Sequence, residues 1–194
     1  AEGRIVAWEN LIASPAVTRA VLQRAFPGLP LLGFERTNVE GAAWLPYRIP
    51  DRRVAHAVRD VPLAVGFWRS VGHSHNAYFT ECFMDELARA AGQDPLEFRL
   101  AHLAADSRAW RVLTRLAEVS DWRAQLPAGV ARGLALHESF GSMVAQCAEV
   151  EVRDGDVHVR RVVCVVDCGT VVNPAIVTAQ MESGILFGLS AALY

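Results

Sequence analysis

One short run of the sequence gathers a charged side chain and two imidazoles. Arg69, His73 and His75 lie within residues 66–76, between an apolar segment that predicts a strand and a helix predicted from about Asn76 to Ala91. A strand-to-helix turn exposes backbone N–H groups at the positive end of the helix dipole, which suits an anion such as a phosphate or a metal-oxo group. Arg69 would add a fixed charge and a planar fork of donors. The alternative is a structural loop whose arginine pairs with a carboxylate.

The two histidines also raise the question of a metal site. Side chains two residues apart share a face only in extended chain, so His73 and His75 would both reach one metal only there. A metal also needs a third ligand, and apart from the nearby Glu81 no histidine, cysteine or carboxylate stands at a recognised spacing. We therefore predict no residue of this chain as a direct metal ligand.

A second candidate is the run at residues 137–141, which resembles the nucleophile elbow of serine hydrolases with His137 in place of the first glycine. Ser139 would be the nucleophile. That elbow requires a strand-to-helix turn, followed along the chain by an acid and then a histidine. Here the following segment predicts a strand, and His158 falls on a predicted hairpin. A serine hydrolase is therefore kept as an alternative that the local pattern argues against.

The cysteines offer a third possible chemistry. Asp167 and Cys168 could be acid–base or redox groups, yet a cysteine at the end of an apolar strand is usually structural. The other three, Cys82, Cys147 and Cys164, form no zinc-type spacing with it. We expect reduced, buried thiols.

The elements that must position these residues follow from periodicity and capping signals. Ser14 followed by proline predicts a helix start. Residues 27–62, rich in proline and glycine, predict extended chain that wraps a surface and has only a meagre core of its own. The helix at residues 76–91 is predicted to be mostly buried. Asp94, followed by proline and glutamate, predicts a capped helix through Leu103, and a further amphipathic helix is predicted at residues 110–119.

The pattern changes after residue 128 from helical to alternating, which predicts a boundary there. Alternating apolar residues on both sides of Asp154 and Gly155 predict an antiparallel hairpin, and Asn173 followed by proline predicts the cap of a last helix. The predicted fold is mixed α/β, of the α+β class. Residues 1–128 form a helix-rich part carrying the loop 62–76, and residues 129–194 form a hairpin and helix part.

Composition excludes several functions. The net charge of -2 gives no reason to expect nucleic acid as a partner, and all 19 basic residues are arginine, which excludes a Schiff-base lysine. The apolar runs at residues 162–166 and 185–193 are too short to span a bilayer, so no membrane span is predicted. The chain starts within a predicted strand and stops within a predicted helix, so we expect a fragment.

Three stretches together resemble the large, molybdopterin-binding subunits of molybdenum hydroxylases. These stretches are residues 62–88, residues 94–99, and residues 133–188, which include the segments 144–150 and 166–174. The group contains xanthine dehydrogenase and aldehyde oxidase, and the branch that the chain resembles is that of the isoquinoline 1-oxidoreductase beta subunits and related bacterial aldehyde dehydrogenases. The resemblance implies a partial domain of such a subunit.

The resemblance also implies roles for the loop. In the family, the matching loop reaches the molybdopterin cofactor, and the arginine at the position of Arg69 contacts the molybdenum–pterin group. Val71 matches a substrate-pocket position that is aromatic in the xanthine dehydrogenase branch. His75 matches a position held by glutamine in that branch, so it would line the cofactor pocket through a hydrogen bond. The cofactor-binding residues implied by this match are Phe67, Trp68, Arg69, Ser70, Gly72 and His75.

Other parts of the family pattern have no match in this sequence. The glycine-rich pterin-binding segments and the catalytic glutamate are expected outside this chain, so no catalytic residue is assigned here. The isolated fragment is expected to be inactive and to bind no cofactor. The cofactor would be molybdenum–molybdopterin, including its cytosine dinucleotide form, with iron–sulfur clusters on a separate subunit. Expected partners are the remainder of the large subunit, the small iron–sulfur subunit, and an aldehyde or N-heterocycle substrate. The alternative is a structural or interaction domain of the same fold without cofactor.

Overall fold

The computed structural model describes residues 3–28 and 35–194 of the chain. It has the mixed α/β architecture that the sequence predicts. Contacts divide it into two compact units, one of residues 1–105 with 137–139, the other of residues 106–136 with 140–194. In chain order the described elements are β1 (Ala7–Ser14), α1 (Val17–Ala25), a 3-10 turn (Arg36–Asn38), β2 (Asp51–Val58), α2 (His73–Ala90), α3 (Pro95–Ala101), α4 (Arg108–Val119), β3 (Val130–Ser139), β4 (Ser142–Arg153), β5 (Asp156–Asp167) and α5 (Pro174–Leu193).

The first unit begins with two strands whose parallel pairing the sequence pattern did not reveal. β1 and β2 pair in register from Ala7 with Asp51 to Ser14 with Val58. Ile12 on β1 packs with Val39, Ala42, Ala43 and Val54. The prediction of featureless extended chain over residues 27–62 is therefore wrong for residues 51–58, because β2 is specified by pairing with a strand far away in sequence rather than by a local pattern.

The start of α1 also differs from the prediction. Ser14 is the last residue of β1, not a helix cap, and its hydroxyl bonds the Nε2 atom of His56 at 2.9 Å. The helix starts at Val17, and the carboxylate of Glu35 accepts from the backbone N–H groups of Thr18 and Arg19 at 3.3 and 3.1 Å. A side chain from a later segment thus supplies the cap, which a local sequence signal cannot show.

Helix α2 buries a face different from the predicted one. Its buried residues are Asn76, Thr80, Glu81, Met84 and Ala88. Polar groups are tolerated there because they find partners, as Glu81 does with Tyr47 and Arg99. The prediction that this helix is mostly buried is wrong for three of its aromatic residues, which are exposed: Tyr78, Phe79 and Phe83. The thiol of Cys82, also predicted to be buried, is exposed as well.

A buried ion cluster joins α2 to α3. The side chain of Arg99 is 0% exposed, and its Nε donates to Glu81 Oε2 at 3.0 Å while Nη1 donates to Asp85 Oδ1 at 2.6 Å. Tyr47 donates its hydroxyl to Glu81 Oε1 at 2.8 Å. Burial raises the pKa of Tyr47 and Glu81 raises it further. At the start of α3 the predicted cap is confirmed, since the Asp94 carboxylate accepts from the N–H groups of the next turn.

The second unit contains a three-stranded sheet in the order β3–β4–β5. β4 and β5 are antiparallel, and the turn between them places Asp154 and Gly155 at φ 53° and 90°. Two consecutive positive φ angles characterise the type I′ hairpin turn, which confirms the predicted hairpin. Helix α4 packs on β4 and β5 and buries Ala109, Val112, Leu113 and Leu116.

The units do not divide at the predicted boundary of 128/129. Helices give way to strands there, since β3 begins at Val130, but the compact units separate after Ala105. The physical reason is that α4 packs on the sheet of the second unit. Arg108 at its start also binds Asp167 at the end of β5, with Nε 2.8 Å from Oδ2.

Helix α5 is longer than the apolar run recognised in the sequence. It has 20 residues, its mean hydropathy is 1.4 over the best window, and none of that window is buried within the structure. By length and composition it could cross a membrane, so the prediction that the run is too short was wrong on length. Core helices of larger proteins share these two properties. Asn173 caps the helix by accepting from the N–H of Ala175 at 3.0 Å, as predicted.

Candidate functional site

The loop with the candidate residues has no regular structure until α2 begins. Residues 62–66 form no strand, so the predicted strand-to-helix turn is a loop-to-helix turn. β2 has already ended at Val58, where its pairing with β1 ends, and no strand among the described residues pairs with the segment that follows. Arg24 donates from Nη2 to the carbonyl of Val65. The helix begins at His73, three residues earlier than predicted.

Two overlapping turns lead into the helix. The N–H of Val71 donates to the Trp68 carbonyl at 3.1 Å, and the N–H of His73 donates to the Ser70 carbonyl at 2.9 Å. The hydroxyls of Ser70 and Ser74 also bond to each other. The loop is therefore tied to the first turn of α2 by its backbone and by a side-chain contact.

The loop forms one wall of a cavity of about 380 Å³ within the first unit. Five of the seven predicted site residues line it. Arg69 and Ser70 do not, and Arg69 is exposed at the surface. Sequence reasoning missed the opposite wall, from α1 and the 3-10 turn. The complete lining is Val17, Thr37, Asn38, Val65, Gly66, Phe67, Trp68, Val71, Gly72, Ser74 and His75.

Gly72 permits the closest backbone approach in this site. A Cβ atom there would lie 2.0 Å from the Thr37 carbonyl oxygen, far inside van der Waals contact. The φ of Gly72 is -72°, which any residue adopts, so the requirement is for space rather than for conformational freedom. Asn76 fastens the same contact, because its Nδ2 donates to the carbonyls of Asn38 and Glu40 at 3.0 and 2.8 Å.

Val71 has a strained backbone. Its φ is 52°, in the left-handed region that β-branched residues rarely enter. Such a conformation costs on the order of 1–3 kcal/mol and persists only where the surroundings impose it. Here the Trp68–Val71 turn and the contact of Gly72 with Thr37 impose it, and they place Val71 in the cavity lining.

The histidines of the loop have lowered pKa values. Burial lowers the pKa of His75, and a hydrogen bond to the Asn38 backbone partly offsets this. Burial also lowers the pKa of His73, against the raising effect of Glu40. His73 Nδ1 lies 2.9 Å from Nε2 of His137, a partner 64 residues later that sequence reasoning had considered only as part of a nucleophile elbow. Neutral imidazoles here can donate or accept hydrogen bonds.

The alternative at Ser139 gains no support from the geometry. Ser139 ends β3, and Phe140 and Gly141 turn the chain directly into β4. A nucleophile elbow needs a helix at that point. Its neighbour His137 is engaged with His73, not with a serine.

No metal cluster is found in residues 3–28 and 35–194: no three histidine, cysteine or acidic side chains there stand close enough to hold an ion. The cavity is lined mainly by apolar surface, and its polar side chains are those of Thr37, Asn38, Ser74 and His75. Thr37, Asn38 and Ser74 also bond to neighbouring residues of the chain. This donor and acceptor set, next to the first turn of a helix, fits an organic cofactor that carries anionic groups. The structure thus defines a mixed α/β segment with a cavity beside the start of α2.

Comparison with known proteins gives the family. The sequence model of the molybdopterin cofactor-binding domain matches residues 75–194, and the chain belongs to that family. Of the predicted site residues, only His75 lies within the matched range. The chain is also similar to the isoquinoline 1-oxidoreductase beta subunit of Brevundimonas diminuta, with 38% identity over 152 residues, 76% of this chain and 20% of that protein.

Two further relatives carry related names. A nicotinate dehydrogenase subunit of Pseudomonas putida is 32% identical over 100% of this chain and 18% of its own length. Membrane-bound aldehyde dehydrogenase (pyrroloquinoline-quinone) of Gluconacetobacter polyoxogenes is 34% identical over 66% of this chain and 19% of its length. The chain thus spans about a fifth of the length of these relatives.

Solved structures of aldehyde oxidoreductases also match. The enzyme from Desulfovibrio desulfuricans aligns with 21% identity and a TM-score of 0.45, over 81% of this chain and 19% of that chain. The enzyme from Desulfovibrio gigas aligns with 19% identity and a TM-score of 0.46, over the same shares.

Proposed function

We propose that this chain forms one wall of the molybdenum–pterin pocket in the large subunit of a molybdenum hydroxylase. The whole protein would hydroxylate an aldehyde or an N-heterocycle with oxygen from water and pass electrons to iron–sulfur centres on a separate small subunit. The observation that carries the proposal is the cavity, which brings together five of the loop residues selected from the sequence in a chain of the molybdopterin-binding family.

The bound cofactor would supply the oxidation–reduction chemistry, in its plain or cytosine dinucleotide form. The chain's own residues would bind and orient it. His75 has a neutral imidazole that can hydrogen-bond the pterin, and Phe67 and Trp68 give the wall an apolar surface. Gly72 lets the loop lie close to the Thr37 backbone. Arg69, exposed beside the cavity, would supply a charged donor to an anionic group, with Ser70 holding the turn.

Val71 would face substrate rather than cofactor. An isopropyl group at this position offers no ring for stacking, so the pocket would favour compact or aliphatic substrates over flat bicyclic ones. The residue that activates water would come from another part of the large subunit. We accordingly propose that the 194-residue chain alone is inactive.

The test is to express the uninterrupted reading frame that encodes this chain together with its small iron–sulfur partner. Elemental analysis should find about one molybdenum per complex, and fluorescence after oxidation should detect a pterin. We also expect dye reduction that depends on an aldehyde or an N-heterocycle. Because one relative is named for pyrroloquinoline quinone, the extract is assayed for that quinone as well. A complex without molybdenum, or with the quinone instead, contradicts the proposal.

Substitution at the loop locates the function. Arg69→Met removes one charge-assisted contact, so we expect turnover or cofactor retention to fall about ten- to a hundredfold. Arg115→Met is the matched control, since Arg115 is an exposed arginine whose partner Glu118 lies one turn along α4. Equal effects of the two substitutions would show that Arg69 has no role in the pocket.

A further inference from the structure

A pair of histidines stands directly behind the cavity wall. His73 Nδ1 and His137 Nε2 are 2.9 Å apart, and their rings meet at 74° with centroids 5.1 Å apart. Both residues belong to the first compact unit, and both are partly buried. Gly41 lies between them, since a Cβ there would meet His137 Cε1 at 3.0 Å and the Cα and Nδ1 atoms of His73 at 3.2 Å. The contact is therefore closely packed.

This pair is connected to the cavity wall by backbone bonds. The N–H of His73 holds the Ser70 carbonyl at 2.9 Å, and the next turn back joins Val71 to Trp68. A shift of His73 would therefore loosen the turn that imposes the strained φ of 52° on Val71, and Val71 would relax out of that conformation. The other side is fixed by Asn76, which holds the carbonyls of Asn38 and Glu40.

We propose that His137 is a positioning residue for this site: its hydrogen bond to His73 holds the loop of residues 67–75 in the shape that lines the cavity. The importance of this shape for turnover rests on the function proposed above. The hydrogen bond itself does not, because it is made entirely by residues of this chain.

The chemistry of the pair makes the idea testable by pH. Neutral imidazoles can share one hydrogen bond, with one ring donating and the other accepting. Burial, together with a smaller effect of His73, lowers the pKa of His137 to about 4. Burial also lowers the pKa of His73. Glu40, on the segment packed against both rings, is the carboxylate that acts on His73. When only one of the two rings is protonated, its N–H can still donate to the other ring. When both rings are protonated, an N–H group of each faces the other and the hydrogen bond is lost.

Three substitutions separate positioning from simple packing. His137→Leu fills the space without a polar atom. His137→Gln places an amide near the position of Nε2 and keeps a hydrogen bond that does not titrate. His158→Gln is the control, because His158 is an exposed histidine on the hairpin of the other unit. The measurement is amide hydrogen exchange of residues 67–75 in the full-length protein at pH 7 and below pH 4, corrected for the intrinsic rate, with the pH profile of dye reduction alongside.

We expect His137→Leu to exchange roughly two- to tenfold faster than wild type in this loop at pH 7, the fold-change of one lost hydrogen bond. At low pH the exchange rate of the wild-type loop should approach that of the leucine variant, whereas the loop of His137→Gln should stay protected at both pH values. The rate of dye reduction should fall over the same pH range in wild type and not in His137→Gln. If His137→Gln exchanges as fast as His137→Leu, or if wild type shows no acid loosening, the proposal is wrong. If the leucine variant does not fold, the comparison of wild type with His137→Gln at the two pH values still tests the proposal. A protein that lacks molybdenum but shows this exchange pattern contradicts the proposed function and leaves the positioning role supported.

Discussion

Gly72→Ala is the substitution to which the structure assigns the sharpest cost. The new Cβ would lie 2.0 Å from the Thr37 carbonyl oxygen and 3.1 Å from that of Glu40, and both are backbone atoms that cannot rotate away. To reach ordinary contact at 3.4 Å, the segment around Thr37 must move by about 1.4 Å from the start of α2. That movement breaks the two bonds from Asn76 Nδ2 to the carbonyls of Asn38 and Glu40.

The magnitude follows from these two effects. Overpacking costs about 1–3 kcal/mol and each lost hydrogen bond about 1 kcal/mol net, so we expect Gly72→Ala to lower the free energy of unfolding by roughly 3–5 kcal/mol. Gly66→Ala is the control in the same loop, because its Cβ would meet only the Nη2 atom of Arg24, at 4.0 Å. There a methyl group restricts the unfolded chain and should stabilise by up to about 1 kcal/mol.

Urea unfolding of the purified protein measures both variants. The two midpoints should move in opposite directions while the slope m stays unchanged, which shows that each substitution changes the stability and not the surface exposed on unfolding. A loss below about 1 kcal/mol for Gly72→Ala would refute the reasoning, because it would mean that the backbone contact between Gly72 and Thr37 is not as close as described.

Two further predictions concern the scaffold. Arg99→Met removes the arginine partner of the buried carboxylate of Glu81, so we expect the free energy of unfolding, measured in urea, to fall by about 3–5 kcal/mol. Arg115→Met, which breaks an exposed ion pair, should lower it by less than about 1 kcal/mol. Similar losses for the two variants would contradict the buried cluster. The second prediction concerns pH. The pKa of His137 is about 4 in the folded chain and 6.5 in the unfolded chain, so between these pH values the unfolded chain binds a proton that the folded chain does not. The free energy of unfolding should therefore fall as the pH drops from 6.5 toward 4, by at most about 3 kcal/mol. His137→Gln should abolish that part of the pH dependence, and an unchanged profile would exclude His137 as its source.

The features predicted correctly from the sequence are those that a few neighbouring residues determine. Asp154 and Gly155 specify their own turn, since both tolerate the positive φ that the type I′ turn requires. Asp94 caps a helix by accepting from backbone N–H groups two and three residues away. These signals do not depend on the rest of the chain. The hairpin and the capped helices therefore appear where the pattern placed them.

The features missed depend on partners distant in sequence. β2 exists because β1, 44 positions earlier in the register, offers it a ladder. The polar face of α2 is buried because Arg99 and the carbonyls of residues 38 and 40 satisfy it, and hydrophobic periodicity alone assigns such a face to solvent. The existence of β2 and the choice of the buried face of α2 are therefore set by tertiary contacts.

The site shows the same division. The loop residues were selected from the family resemblance, and the structure places five of them around one cavity. The opposite wall, with Thr37 and Asn38, could not be selected because no local pattern marks it. His137 was noticed for the wrong reason, as part of a nucleophile elbow, and its contact with His73 spans 64 positions.

The strained backbone at Val71 has an evolutionary consequence. Asparagine or glycine would adopt φ 52° at lower cost, so selection for stability alone would tend to replace valine at this position. A valine kept there costs the protein stability, and such a cost is expected where the side chain itself is under selection. Laboratory selection for thermostability should therefore enrich substitutions at residue 71. Under the function proposed above, the enriched variants should also have altered substrate selectivity.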